Sequence, residues 1–361
     1  MNAVVKPGPV QSVQEIAAAS VVDLFCGAGG LSHGFLLEDF PIACGIDVDE
    51  RCRYPFETNN RAPFIRWDVS SLDPAAVTAE FTPGSPRILV GCAPCQPFSR
   101  YSQGRDDPKW QLLQDFARII VAVGPDVVSM ENVPRLLHFR GGEVFDTFVA
   151  ALRKADYHVS WSEVFCPDYG VPQQRTRLVL LASRLGPLRI EPPTHEGAHR
   201  TVAQAIGDLP AIAAGETHCD DRLHVASGLS SRNLERMTAA VPGGTWRDWA
   251  DDLVVECHRK ESGRGYSSVY GRMRADEPAP TITTQFYGFG SGRFGHPDQH
   301  RALSLREGAI LQSFPPDYAF VPVGAKVQIK TLGRLIGNAV PVLLARAVAR
   351  SIRKHLCEHG V

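Results

Sequence analysis

The chain has 361 residues, 44% of them apolar and 21% charged, a balance that excludes disorder, a collagen-like repeat or a coiled coil as the main architecture. With 38 lysines and arginines against 39 aspartates and glutamates the net charge is −1, which excludes a uniformly basic nucleic-acid coat but leaves a local basic groove open. No apolar run approaches the ~20 residues of a membrane helix. The opening MNAVVKPGPVQSVQEIAAAS lacks the charged-then-apolar order of a secretory signal. Nine unevenly spaced cysteines do not read as a disulfide framework. The expectation is a reduced, cytoplasmic protein with no membrane partner.

Taken in chain order, residues 1–18 are expected to be disordered. From Val21 onward, short apolar runs alternate with helix-like stretches. Strands are predicted at Val21–Phe25, Ile42–Ile46, Phe64–Trp67, Arg87–Val90, Asp126–Met130, Tyr157–Phe165 and Arg177–Ala182, mostly continuous apolar runs of the kind that suit strands buried on both faces. Leu112, Leu113, Phe116, Ile119, Ile120 and Val123 form an apolar stripe at helical spacing. Repeated strand–helix–strand units imply a doubly wound, mostly parallel α/β sheet over residues 19–185. From Gly186 to Val323 glycine, proline and polar turns dominate, and a smaller irregular β-rich domain is expected. Helical spacing returns in Leu343, Leu344, Ala347, Val348, Ser351 and Ile352, so residues 324–361 are read as a segment rejoining the first domain.

Four constellations carry chemistry. Asp23-Leu24-Phe25-Cys26-Gly27-Ala28-Gly29-Gly30 links a strand to a helix, where glycines let a backbone approach a ligand. Asp47 and Asp68 close the next two strands, where one can accept ribose hydroxyls and the other an adenine edge. Taken alone, this set indicates an adenosine-containing ligand without separating a nicotinamide from a sulfonium cofactor, and a plain tight turn would look the same. Gly91-Cys92-Ala93-Pro94-Cys95-Gln96-Pro97-Phe98-Ser99 follows the fourth strand. Its Cys-x-x-Cys admits zinc and redox readings, but there is no second ligand pair at zinc-site spacing, which leaves a nucleophilic cysteine on a rigid proline turn. Glu131 in Ser129-Met130-Glu131-Asn132-Val133 ends the fifth strand, where a carboxyl group can move a proton or merely face solvent. In Gln173-Gln174-Arg175-Thr176-Arg177 the two arginines are two apart and face the same way on a strand, toward one target or along a solvated edge.

Read together and in order, these segments resemble the cytosine-C5 DNA methyltransferases of bacterial restriction–modification systems. DLFCGAGGLSHGF is similar to the family's cofactor loop, APCQPFS to its Pro-Cys loop, SMENVPRL to its Glu-Asn-Val motif and GVPQQRTRLVLLAS to its Gln-x-Arg-x-Arg strand. HRALSLREGAILQSFPPDY and LIGNAVPVLLARAVA resemble its last two motifs, so the likeness runs from about Val21 to Arg350. The sequence departs from the pattern at Cys92-Ala93, at Leu335 and at Val342, none of which touches Cys95, Glu131, Arg175 or Asn338.

The resemblance implies a Rossmann-like S-adenosyl-L-methionine-dependent fold and no metal. It implies that Cys95 adds to C6 of a flipped-out cytosine, that Glu131 holds N3 and the exocyclic amine, that Arg175 meets O2 and that Arg177 braces the site. Asp23, Phe25, Gly27, Gly29, Asp47, Asp68, Leu112, Asn338 and Val340 are the implied cofactor contacts, with Leu112 open to a plain core reading. The loop Phe98–Lys109, with Arg100, Arg105 and Lys109, is expected to close over double-stranded DNA. The segment from Gly186 to about Ala302 is expected to recognise the target, with His258, Arg259, Lys260, Arg264, Arg272 and Arg274 meeting phosphates or guanine edges and Thr283 of TITT near the DNA. A monomer is expected, with a cognate restriction endonuclease acting separately. A tRNA methyltransferase of the same family, a catalytically inert DNA-binding relative and a nicotinamide-dependent oxidoreductase are the competing readings.

Overall fold

The computed structural model describes residues 19–98 and 107–361. Seven strands form one sheet: β1 (Ser20–Leu24), β2 (Ile42–Asp47), β3 (Phe64–Arg66), β4 (Arg87–Gly91), β5 (Val127–Asn132), β6 (His158–Phe165) and β7 (Thr176–Ser183). Their spatial order is β3-β2-β1-β4-β5-β7-β6. Pairs among the first five are parallel, whereas β7 runs antiparallel to both β5 and β6. Every predicted strand is present within two residues of its expected ends.

Alternation along the strands explains why both faces are covered. Val21, Ile88, Val127 and Leu181 face one core, while Val22, Leu89, Val128 and Leu180 face the other. The second core is closed by the helices Leu112–Val123 and Glu143–Lys154, with Phe116, Ile120, Phe148 and Leu152 fully buried. The first is closed by α1 (Gly30–Leu36) and by the last helix, Val342–His359. A Cβ on Gly34 would lie 2.3 Å from Ala345 Cβ, so glycine is what lets these two helices approach. Ile329–His359 taken together is long and apolar enough to pass as a membrane span, contrary to the expectation of no such stretch, yet most of it is buried against this core and Pro341 interrupts it.

The first core continues into Val202, Ile206, Ile282, Phe286, Phe294, Leu303 and Leu311, and a separate small cluster gathers Met237, Ala240, Trp246, Trp249, Phe289 and Ala302. The β-rich texture expected for residues 186–323 is not what forms: the described strand there is only Ala279–Pro280, paired with Gln173–Gln174, beside isolated bridges and short helices. Frequent glycine and proline interrupt any longer ladder.

Topology sets the place for chemistry. Strand order reverses between β1 and β4, and in open α/β sheets ligands bind outside the carboxyl ends of the strands at such a point. Residues 25–29 leave β1 there and residues 92–98 leave β4 there. Because β7 runs the other way, its first residues reach the same edge: Asn132 pairs with Leu178, which puts Arg177 just past the end of β5.

Candidate active site

A cavity of about 510 Å³ opens at this edge, within the size range of small-molecule sites. It is lined by Phe25, Gly27, Asp47, Asp68, Leu112, Cys95, Asn338 and Val340 among others, so seven of the nine expected cofactor contacts and the expected nucleophile line one cavity. The loop after β1 is shaped by its backbone. Phe25 sits at φ +60°, a sparsely populated conformation for an aromatic residue, and its ring meets Phe116 edge-on at 6.1 Å. Gly27, at φ +52°, donates its N–H to Asp47 Oδ2 at 3.0 Å, and nothing lies within 4 Å of where its Cβ would be. Asp47 Oδ1 accepts the Asp49 N–H at 2.9 Å, so this carboxylate organises the loop as well as facing the cavity. Leu112 is half-buried on the cavity wall, which overrides the plain core reading.

Two expected contacts do not line the cavity. Asp23 is fully buried beneath the loop, where Oδ2 accepts the Ser32 hydroxyl at 2.6 Å and Oδ1 has no hydrogen-bond partner. Burial pushes its carboxyl up to about 7. Gly29 serves packing: at φ +88°, a Cβ there would lie 2.2 Å from Asn60 Nδ2. The raised Asp23 carboxyl favours the folded state only while protonated, so its contribution is complete below the ordinary aspartate value of about 3.9 and is lost as pH rises toward 7. Replacing Asp23 with Asn removes that loss. The difference in Tm between Asp23→Asn and the native chain should grow in favour of the variant from pH 4 to pH 8; a pH-independent difference in calorimetry would contradict it.

Val48, Trp67 and Arg334 also line the cavity and were not anticipated. The signal was position: Val48 follows Asp47 and Trp67 precedes Asp68 at the strand ends, and both are large apolar residues left substantially exposed, at 59% and 38%. Arg334 pairs with Asp49, whose carboxyl, despite the cost of its burial, is drawn down to about 2 by Arg51 and Arg334.

Across the cavity, Cys95 opens the turn after β4, its carbonyl accepting the Phe98 N–H at 3.0 Å. Asn132, fully buried, ties the end of β5 to this loop by donating from Nδ2 to the Ala93 carbonyl at 3.0 Å, a role the sequence did not reveal. Glu131 is 5% exposed and forms an ion pair with Arg177, Nε to Oε1 at 2.7 Å. That approach is not aligned as a hydrogen bond, so Oε1 keeps its accepting capacity. Burial raises the Cys95 thiol above its ordinary value; Arg177 and Arg175 oppose this and Glu131 adds to it.

The two arginines are engaged differently. Arg175 donates from Nη1 to the Ile282 carbonyl at 3.0 Å and from Nη2 to the Ala339 carbonyl at 3.5 Å, so it braces the TITT segment against the turn after Asn338. Its Nε is buried without a partner, and burial followed by the Arg177 charge lowers its guanidinium to about 10, still cationic near neutrality. Arg177, one residue into β7, is the one that reaches the carboxylate.

Of the expected DNA contacts, Arg100 and Arg105 lie outside the described residues. Arg272 is 7% exposed and donates to the carbonyls of His296, Ala240 and Gln299, so it holds its own domain together and is not presented to a phosphate. Arg274 is exposed but paired with Asp276 and Glu277, which cancels its charge. Thr283 is exposed, and its backbone packs so closely on Gly337 that a Cβ there would meet the Thr283 carbonyl oxygen at 2.3 Å. All nine cysteines are free thiols. The ligand atoms of His218, Cys219 and Asp220 lie within 4.8 Å of one another on a turn, a grouping that adjacency in sequence produces by itself.

A doubly wound sheet with an antiparallel β7, a glycine turn with acids at successive strand ends and a Pro-Cys turn at the switch point define an α/β methyltransferase. The family model of the C-5 cytosine-specific DNA methylases matches residues 19–354. The type II methylase M.HgiDII of Herpetosiphon aurantiacus is 52% identical over 93% of this chain and 96% of its own length. The type II methyltransferase M1.HphI of Haemophilus parahaemolyticus is 30% identical over 92% and 86%. Among solved structures, the Dnmt2 methyltransferase of S. pombe shares the fold, with a TM-score of 0.59 at 17% identity over 93% of this chain and 99% of that one. The chain belongs to the C-5 cytosine-specific DNA methylases and is a DNA (cytosine-5)-methyltransferase.

Proposed function

We propose that the protein methylates C5 of a cytosine flipped out of a specific double-stranded DNA sequence, taking the methyl group from S-adenosyl-L-methionine, and that this protects host DNA beside a separately acting restriction endonuclease. The relatives named as type II methylases support the biological setting. A cytoplasmic monomer, with the segment 186–323 reading the target, fits the same reading.

The observation that carries it is the buried Arg175 Nε, which has no hydrogen-bond partner, beside the Cys95 thiol and the ion-paired Glu131 carboxylate at the switch point. Burying a polar group without a partner costs about 1–3 kcal/mol, which a bound base would relieve. The cavity also fits the donor: Asp47 and Asp68 stand at strand ends, Phe25, Leu112 and Val340 supply apolar wall, and space is open above Gly27. When bound, S-adenosyl-L-methionine supplies an electrophilic methyl group. The chain's own residues prepare the base. Cys95 Sγ bonds to C6, the C5–C6 π pair becomes available at C5, and Glu131 holds N3 and the exocyclic amine while Arg177 steadies the carboxylate. Once C5 carries the methyl group, loss of its proton to solvent restores the C5–C6 double bond, breaks the C6–S bond and releases the Cys95 thiolate. A stacked cytosine cannot reach this edge, so flipping costs a few kcal/mol.

Tritiated methyl transfer into genomic DNA and into tRNA tests the reading. Label in DNA, recovered as 5-methylcytosine, is expected; label in tRNA alone would overturn it in favour of an RNA substrate, and label in neither would favour an inert binder.

A further inference from the structure

Cys92 is the residue of the site that the proposed chemistry leaves unused. Gly91 pairs with Met130 in the parallel β4–β5 ladder, so the next residue on each strand, Cys92 and Glu131, leave neighbouring strand ends together. The Cys92 thiol donates to Glu131 Oε2 at 2.8 Å, while Arg177 Nε stands 2.7 Å from Oε1. The two oxygens of one buried carboxylate are thus each engaged by a different group. Among the described residues no other hydrogen bond reaches Oε2, so a side chain without a donor at position 92 would remove the one seen there.

Resting on the cytosine methyl-transfer reading above, we propose that Cys92 is a positioning residue for that reaction: its S–H fixes the Glu131 carboxylate so that Oε1 faces the base. The thiol suits this task because it stays protonated. Burial, then the Glu131 charge and the neighbouring Cys95, push its ionisation well above the ordinary range, with only Arg177 opposing. Cys95 faces both Arg177 and Arg175, two cations that favour its thiolate. The hydrogen bond to Glu131 Oε2 assigns Cys92 as the donor and leaves Cys95 as the nucleophile, with no disulfide between them.

The test compares Cys92→Ala, Cys92→Gly and Cys92→Ser with the native chain in single-turnover methyl transfer. DNA KM, S-adenosyl-L-methionine affinity by calorimetry and Tm are followed in parallel. Ala and Gly should lower kcat about 10-fold, with KM and cofactor affinity changed less than about 2-fold, because a hydrogen bond to a charged group contributes on that scale. Ser, which keeps a donor, should restore most of the rate. Equal kcat for Ala, Gly and the native chain would overturn the proposal, as would a loss shared by Ser. A fall in kcat accompanied by an equal loss in Tm and cofactor affinity would show a packing role and also overturn it. DNA carrying 5-fluorocytosine, which blocks the final proton loss, should trap a covalent complex with all three Cys92 variants; if Cys92→Ala and Cys92→Gly both fail to trap, Cys92 is the nucleophile and the assignment is wrong. Failure of the underlying reading looks different, since the native chain would then transfer no label to DNA.

Discussion

Replacing Cys95 with Ala should reduce single-turnover methyl transfer by at least about 10⁴-fold while leaving cofactor and DNA binding within a few fold. The magnitude follows from the chemistry: C5 of an intact cytosine ring is a weak nucleophile, and among the described residues the thiols that line this cavity are Cys26, Cys52, Cys92 and Cys95, the first two of them buried. Removing a covalent nucleophile elsewhere costs on the order of 10⁶ in rate. Cys92 is the nearest substitute in kind, but its thiol is held protonated by burial and by the charge of Glu131. Cys95 itself is half-buried, and its thiol lies above the ordinary range in the free protein, with Arg177 and Arg175 working against burial. Cys95→Ser should fall nearly as far, because a hydroxyl is a far poorer nucleophile at neutral pH. Binding should survive because the glycine turn, Asp47 and Asp68 do not depend on the thiol. Methyl transfer retained within about 100-fold in Cys95→Ala would remove the covalent step from the mechanism.

How much of this was legible in the sequence divides along physical lines. Strands such as Ile42–Asp47 and Thr176–Ser183 show in the sequence because burial on both faces demands unbroken apolar runs. Their direction does not show, since an apolar run reads the same either way. The antiparallel course of β7 therefore had to come from the structure, and it decides which arginine reaches Glu131. Spacing two apart predicted a shared face for Arg175 and Arg177, but Arg175 precedes the strand and turns to the carbonyls of Ile282 and Ala339. Those acceptors lie more than 100 residues away in sequence, where no local pattern can indicate them. Arg272 shows the same limit: a basic residue among aromatics reads as a DNA contact until its three carbonyl partners are seen. Asp47, Asp68 and Cys95 were legible because strand-end position alone brings them to the cavity.

The largest stability effect is expected at Arg301, which is fully buried at 0% exposure. Its guanidinium grips Glu307 with both ends, Nη1 to Oε2 at 2.7 Å and Nη2 to Oε1 at 2.6 Å, and Nε donates to the Ile212 carbonyl at 3.1 Å. Glu307 in turn accepts the Ser304 N–H at 2.7 Å and so starts the helix Leu305–Leu311. Replacing Arg301 with Met keeps the volume but strands a buried carboxylate, which typically costs 3–5 kcal/mol and should lower Tm by roughly 5–15 °C. The loss should depend on pH, because His296 Nε2 stands 3.5 Å from Glu307 Oε1. In the native chain burial, with Glu307 opposing and Arg301 reinforcing, lowers this imidazole to about 4, so it stays neutral at working pH. The unfolded chain takes up that proton as pH falls below about 6.5, so the native protein should lose stability from there down toward 4. Glu307 adds a second loss at lower pH: although burial alone would raise its carboxyl, the Arg301 bond and charge hold it below the ordinary range, so its contribution disappears as pH falls through that depressed value. In Arg301→Met the cation opposing His296 is gone while Glu307 remains, so the imidazole can bind the proton and pair with the carboxylate. The penalty should therefore be largest near pH 8 and shrink toward pH 6, and adding Glu307→Leu should recover most of it. Thermal unfolding of the single and double variants across that range decides the point: a penalty that grows on acidification, or a double variant no better than Arg301→Met, would show that the Arg301–Glu307 pair does not hold this helix in place.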